Sequence, residues 1–182
     1  MKIALLNGNP DEKNHAFEAY LTGLSEQLNQ NHEVNRIQLR DKKISYCIGC
    51  WSCWVKTPGT CFAKDDSHEV CKAVIQSDLV LFASPVIMGF TSALLKKTQD
   101  KLIPLVHPYI EMVGNESHHR KRYEQYPRLG LLVERSSDTD DEDLDIIEEM
   151  YKRLSLNLKS KWAFCRTTEQ PIQEVADEIN NF

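Results

Sequence analysis

The sequence predicts an α/β fold: a five-stranded parallel sheet with helices on both faces, in one domain over residues 1–182. Three observations predict it. Apolar runs of strand length alternate with amphipathic helical patterns, which is how a parallel sheet covered on both sides is written. A chain of 182 residues suits a single core, since folding at this length removes about 70% of the unfolded surface from water. No internal repeat, low-complexity stretch or linker divides the chain.

The elements follow in order. Residues 3–6 are the first strand. Phe17, Tyr20, Leu21, Leu24 and Leu28 then recur at offsets of three and four, predicting a helix over 14–30 with one stripe on the sheet. The second strand, 34–39, alternates apolar and polar residues. Asp66 with Glu69 reads as a capping box for a helix carrying Val70, Val74 and Ile75. The third strand, 79–83, is continuously apolar and therefore central. Thr91 or Ser92 caps the next helix, which carries Leu94, Leu95 and Leu102. Residues 104–127 form one connection beyond ordinary loop length, expected to cover a site or a subunit contact. The fourth strand spans 129–133. Acidic residues over 138–145 suit the amino end of a helix whose buried face is Leu144, Ile147, Tyr151, Leu154 and Leu158. A fifth strand over 162–165 and a helix over 173–179 complete the chain.

Composition narrows the function. The chain is 41% hydrophobic and 27% charged, with 22 basic against 27 acidic residues, a net charge of −5. That excludes a general nucleic-acid binder, whose affinity comes from clustered cations on phosphate. The one basic cluster, His118, His119, Arg120, Lys121 and Arg122, is short. No apolar run approaches the roughly 18 residues of a membrane span, and the first residues lead straight into a polar turn with no secretory signal. The expectation is a cytoplasmic protein that binds neither nucleic acid nor membrane. In that reducing setting six cysteines are not a disulfide frame, and Cys47, Cys50, Cys53 and Cys61 crowd into fifteen residues.

Parallel sheets bind ligands beyond the carboxyl ends of their strands, where the winding direction reverses. After the first strand comes Asn7-Gly8-Asn9-Pro10, then Lys13, Asn14 and His15, a polar turn feeding a helix whose free amides suit a phosphate or serve as plain connection. It has neither a dinucleotide-binding glycine pattern nor a Walker A sequence, which disfavours both those classes. After the third strand comes Ser84-Pro85-Val86-Ile87-Met88-Gly89-Phe90, apolar and interrupted by glycine. Such a segment can grip a flat ring or supply core and subunit contacts.

With the Cys50 to Cys61 segment, Asp65-Asp66 and Ser92-Ala93-Leu94-Leu95-Lys96, these motifs resemble the flavodoxin-like NAD(P)H-dependent FMN oxidoreductases, and among them the iron-sulfur flavoproteins. The resemblance implies a three-layer flavodoxin-like fold, strand order 2-1-3-4-5, and FMN with NAD(P)H as electron donor. It places phosphate at Asn9, Lys13, Asn14, His15 and Ala16. Ribityl and ring fall at Ser84, Pro85, Val86, Ile87, Met88, Gly89 and Phe90, and the far edge at Glu134, Arg135 and Ser136. Asp11 and Glu12 depart from the family's phosphate loop, as Val86-Ile87-Met88 do from its ring loop. A homodimer or higher homo-oligomer is implied because flavin sites in that family often lie at subunit contacts.

The cysteine spacing is close to a ferredoxin-type run, so Cys47, Cys50, Cys53 and Cys61 are candidate ligands of a [4Fe-4S] cluster. Thiols without metal remain the alternative, and zinc fits less well because its sites pair separated knuckles. Cys71 and Cys165 read as small buried apolar residues. Trp51 and Trp54 either pack over a ligand or simply pack. Lys56 and residues 120–122 are candidates to steer a nucleotide, or solvated charges. No general acid or base is assigned. Three functions follow: an FMN-dependent oxidoreductase reducing a small acceptor such as a quinone, flavin, nitro compound or metal ion; an electron carrier holding FMN and a cluster; and a ligand-binding module without flavin, favoured by Asp11 and Glu12.

Overall fold

The computed structural model describes all residues, 1–182. Five strands, β1 (Lys2–Asn7), β2 (Glu33–Gln38), β3 (Leu79–Ile87), β7 (Arg128–Glu134) and β8 (Lys161–Thr167), form a parallel sheet in the order β2-β1-β3-β7-β8. This is the expected 2-1-3-4-5 order. The middle strand β3 pairs Leu81 with Leu5 on one side and with Gly130 on the other. It is buried along Leu79 to Ser84, as its continuous apolar run predicts.

Strand periodicity sorts the side chains into two cores. Ala4, Leu6, Val80 and Phe82 face one way, under α3 (Ser67–Ile75), α4 (Ala93–Asp100) and α5 (Asp141–Asn157). Ile3, Leu5, Leu79 and Leu81 face the other, under α1 (His15–Leu28) and α6 (Ile172–Asn180). Side-chain caps start three of these helices. Asn14 accepts from the Phe17 amide, Ser92 from Leu95, and Asp140 forms a capping box with Asp143. No helix is long and apolar enough to cross a membrane.

Three expectations are corrected. Residues 104–127 are not a plain connection: β5 (Val106–Val113) and β6 (Glu116–Lys121) form an antiparallel hairpin closed by Gly114 and Asn115. Residues 84–90 are not a loop. The third strand continues to Ile87, turns at Met88 (φ 53°) and Gly89 (φ 73°), and pairs with β4 (Phe90–Thr91). Two successive left-handed residues make the tight turn whose twist suits a hairpin. Asp66 does not cap α3; its carboxylate accepts from the Lys43 amide, and Asp65 accepts from the amide and hydroxyl of Ser67 instead. The cysteine segment also contains a short helix, α2 (Ser52–Val55), entered through Trp51 in the left-handed region.

Candidate functional site

Two regions carry the residues with chemistry, and they are separate. The first is the rim at the carboxyl ends of β1, β3 and β7. Its turns are tied together: the Gly8 amide donates to Ala83 O at 2.7 Å, and Ser92 Oγ donates to Gly8 O at 2.5 Å. Gly8 has no room for a side chain, since a Cβ there would lie 2.7 Å from Leu95 Cβ and 3.1 Å from Ala83 O. Across the rim, Asn14 Nδ2 donates to Glu134 Oε2 at 2.5 Å, joining the first loop to the fourth.

Beneath the first loop lies a polar network that sequence reasoning missed. Glu18 accepts from Asn7 and Asn9, from Gln38, and from Arg36 and Arg40 at 2.6 Å each. Burial alone would raise its pKa, but bonds from Arg40, Asn9, Asn7 and Gln38 outweigh it and lower the value to about 2. Glu18 lies next to Phe17 in a helix read for its apolar stripe, and its partners stand on another strand and turn, so no local signal marked it.

This network assigns Asn9 a structural role. Its side chain holds Glu18 Oε1 and Asp11 O, and accepts from the Asp11 amide. Lys13, His15 and Ala16 are exposed, and the Ala16 amide has no hydrogen-bond partner in the chain. The Asp11 carboxylate folds back on the Lys13 amide at 2.9 Å. Ser84 is buried and accepts from the Ser92 amide, Pro85 is half-buried and Val86 buried. Ile87 and Met88 project outward, Met88 being 93% exposed, while Gly89 sits against the Asp143 carboxylate and Phe90 packs on the core. Arg135 pairs with Asp141, leaving its buried Nε without a hydrogen bond and Glu169 at 3.9 Å. Ser136 closes its own loop onto Asp138 and Thr139.

A free amide at the start of a 14-residue helix, the cations Lys13 and Arg135 and a projecting apolar turn fit a phosphate-bearing flat cofactor. The exposed Asp11 and Glu12 oppose the phosphate.

The second region is an apolar cavity of about 780 Å³. Its walls are the cysteine segment, the end of α4, the hairpin and the carboxyl half of α5; none of residues 84–90 or of the first and fourth loops line it. Residues 84–90 stand apart from it, most of them in the backbone pairing of β3 with β4 and β7. Cys47, Cys50, Cys53 and Cys61 all line this cavity, with Trp51 and Trp54. Trp54 is fixed from above, its Nε1 donating to Val106 O at 3.0 Å and its ring lying 4.8 Å from His119. Pro104, Val106 and His119 of the 104–127 segment thus stand over the thiols.

Beside the thiols the cavity holds a charge that sequence reasoning did not find. Lys101, 3% exposed, reaches Cys61 Sγ at 3.3 Å, Ser45 Oγ at 3.1 Å and Asp65 Oδ2 at 3.2 Å. Burial would lower its pKa, but the Cys61 thiol and Asp65 outweigh that and raise it, so Lys101 is a cation. Burial likewise works to raise Asp65, yet donors on Ser45 and Ser67 hold it well below the usual range.

Cys53 is buried, which raises its thiol pKa, whereas Cys50 is exposed and bonds from Ser52 lower its value. All six cysteines are free, and no three His, Cys, Asp or Glu side chains stand in an arrangement that holds a metal ion. As folded, the four candidate ligands share a cavity without forming a cluster site. Cys71 and Cys165 are half-buried against the core, and desolvation pushes both thiols up to about 12. Lys56 is exposed, and Arg122 is spent on Pro104 O at 2.9 Å.

A family model described as NADPH-dependent FMN reductase matches residues 1–121. An iron-sulfur flavoprotein of Archaeoglobus fulgidus is 35% identical over 107 residues, 59% of this chain and 48% of that protein. Iron-sulfur flavoprotein MJ1083 of Methanocaldococcus jannaschii is 32% identical over 105 residues, 58% and 53% of the two chains. The chain thus spans about half the length of the curated relatives it matches. Among solved structures, an NAD(P)H:quinone oxidoreductase from Methanothermobacter marburgensis superposes with a TM-score of 0.67 at 15% identity, over 99% of this chain and 91% of that one. An azoreductase from Bacillus anthracis gives 0.66 at 13% identity, over the whole of both chains. At such identity these structures share the fold.

Proposed function

The chain belongs to the NADPH-dependent FMN reductase family, and on that premise we propose that it is an FMN-dependent oxidoreductase passing electrons from NAD(P)H to a small acceptor such as a quinone, a flavin, a nitro compound or a metal ion. One observation carries the reading: the matched residues include the first and third loops, and at one rim the first loop is bonded to the third through Ser92 and Gly8 and to the fourth through Asn14 and Glu134. When bound, FMN supplies acceptance of hydride and its redelivery as electrons.

The chain's own work is binding and orientation. Lys13 and the free Ala16 amide meet the phosphate, with His15 beside them. The turn at Ile87, Met88 and Gly89 supports the ring, and Arg135 holds the far edge. The Glu18 network keeps the first loop in shape without touching the ligand. Exposed Met88 on the rim and Tyr109, Ile110 and Met112 on the hairpin are surfaces for a second copy, giving a homodimer. Six free cysteines suit a reducing, cytoplasmic compartment.

The absorption spectrum of protein purified without air tests this. A two-banded flavin spectrum bleached by NADH or NADPH is expected, and a colourless product that takes up no added FMN overturns it in favour of the flavin-free module. A second reading, an electron carrier with FMN and a [4Fe-4S] cluster on Cys47, Cys50, Cys53 and Cys61, is favoured by the four thiols sharing one cavity. The relatives' names agree with it. It requires the 47–61 segment to draw those thiols together.

A further inference from the structure

We propose that Lys101 is the positioning residue of the cysteine segment: its buried ammonium clasps the two ends of that segment and sets a fixed positive charge against Cys61, raising the reduction potential of an iron-sulfur cluster held there. This role rests on the second reading of the segment, with Cys47, Cys50, Cys53 and Cys61 as cluster ligands. The donors suit such a group in kind and number, since four thiols with ferredoxin-type spacing line one cavity. Burial raises the Cys53 thiol and the neighbouring Cys61, Cys47 and Cys50 add to that effect, so the other three stand within electrostatic reach of it.

Three observations single out Lys101. Its ammonium lies 3.1 Å from Ser45 Oγ and 3.3 Å from Cys61 Sγ, so the start and the end of the cysteine segment meet at a single atom. Its backbone gives that clasp a rigid base, the amide donating to Thr98 O at 3.0 Å and the carbonyl accepting from the Cys71 thiol at 3.2 Å. It is also the one buried ammonium, guanidinium or carboxylate of the cavity lining: Asp100 lines the cavity too, but is exposed and paired with Lys96.

A lysine withdrawn this far from water needs a partner for its charge, and Asp65 supplies one. Asp65, however, already accepts from the amides and hydroxyls of Ser45 and Ser67, so the pair is loose. The ammonium's contacts to oxygen, at 3.1 and 3.2 Å, exceed the about 2.8 Å of a tight charge-assisted bond. Part of its field therefore falls on the sulfurs. Gaining one electron adds negative charge to a group that four thiolates already make anionic, and apolar walls do little to screen it. A fixed cation and an N–H···S bond favour the reduced form more than the oxidised one, which moves the potential upward. Asp65 acts with the opposite sign. Lys101 works through Cys61 and itself moves neither electron nor proton.

The full chain, purified without air and reconstituted with ferrous iron and sulfide, is assayed for iron, sulfide and flavin, and the cluster potential is read by EPR-monitored redox titration. Lys101→Met is expected to lower that potential and to retain several-fold less iron, Lys101→Arg to restore both, and Asp65→Asn to move the potential upward. A merely structural ion pair would not give opposite shifts on losing either partner. In the chain without iron, Lys101→Met is expected to speed chymotrypsin cleavage between Tyr46 and Trp54 several-fold, with FMN uptake unchanged. Should Asp65→Asn not fold, the two Lys101 variants decide alone. A potential unmoved in Lys101→Met, iron lost equally from Lys101→Arg, or unchanged cleavage each overturns the role of Lys101 and leaves the cluster standing. A wild-type chain that takes up no iron and sulfide overturns it together with the second reading.

Discussion

The rim and the cavity each hang on one carboxylate, but the two are built differently. At the rim, Glu18 ties the turn after β1 to β2 and its following turn, and the strands beneath already hold those turns in register. At the cavity, Asp65 ties Ser45, Ser67 and Lys101 together where no sheet runs underneath. The difference teaches that the rim inherits its geometry from backbone pairing, whereas the cavity depends on side chains more than fifty residues apart, as Ser45 and Lys101 are. A change at the rim should therefore act through packing and leave the thiols accessible; one at the cavity should leave flavin uptake intact.

The largest effect expected is from Gly8→Val, which drives a side chain into Leu95 and the Ala83 carbonyl. A loss of about 3 kcal/mol in urea unfolding is expected, with weakened FMN uptake and unchanged thiol reactivity per folded molecule. If Gly8→Val changed the thiols as much as the flavin, the two regions would be one unit.

Glu18→Gln comes next, because it leaves Arg36 and Arg40 without their partner. Its folded pKa of about 2 lies below the ordinary 4.5, so its stabilisation is present above that ordinary value and is lost as pH falls from about 4.5 towards 2. Allowing for partial solvent screening, about 2 kcal/mol is expected at neutral pH. Thermal melts of wild type and variant should converge at the acid end. Asp65, also depressed, contributes stability of the same sign to the cavity, lost on further acidification. Parallel melts at pH 3 and pH 7 that stay equally far apart would remove Glu18 from this role.

A smaller gain is expected from Asp11→Asn combined with Glu12→Gln. Two exposed charges beside a phosphate cost about 1 kcal/mol in water, so FMN titration should tighten about fivefold at low salt and less at high salt. No change at either salt concentration would move the phosphate away from this loop. The smallest effect, about 1 kcal/mol or less, is expected from Trp54→Phe, which removes the bond to Val106 O. Its signature is faster alkylation of Cys53 with unaltered flavin binding.

Much of this fold was legible because it is periodic. The apolar strand runs and the stripe of Phe17, Leu21, Leu24 and Leu28 are repeated local signals, and each found its place. The β5–β6 hairpin was also signalled, by Gly114-Asn115 between two segments, but the polar residues of β6 hid the alternation. Met88-Gly89 marked the β3–β4 turn in the same way. Lys101 carried no signal: a lysine at a helix end ordinarily faces water, and only the return of the 45–65 segment buries it.

The sequence by itself determined the strand order's ingredients, the helix cap at Ser92, the family and the crowding of four thiols, since each is set by residues close together in the chain. Tertiary structure alone decided that Glu18 gathers Arg36 and Arg40, that the apolar cavity lies at the cysteines and not at Ser84 to Phe90, and that Cys53 is buried while Cys50 is open. The physical reason is distance: hydrophobic period and capping act over a few residues, whereas burial of a charge or a thiol depends on which remote segment folds over it.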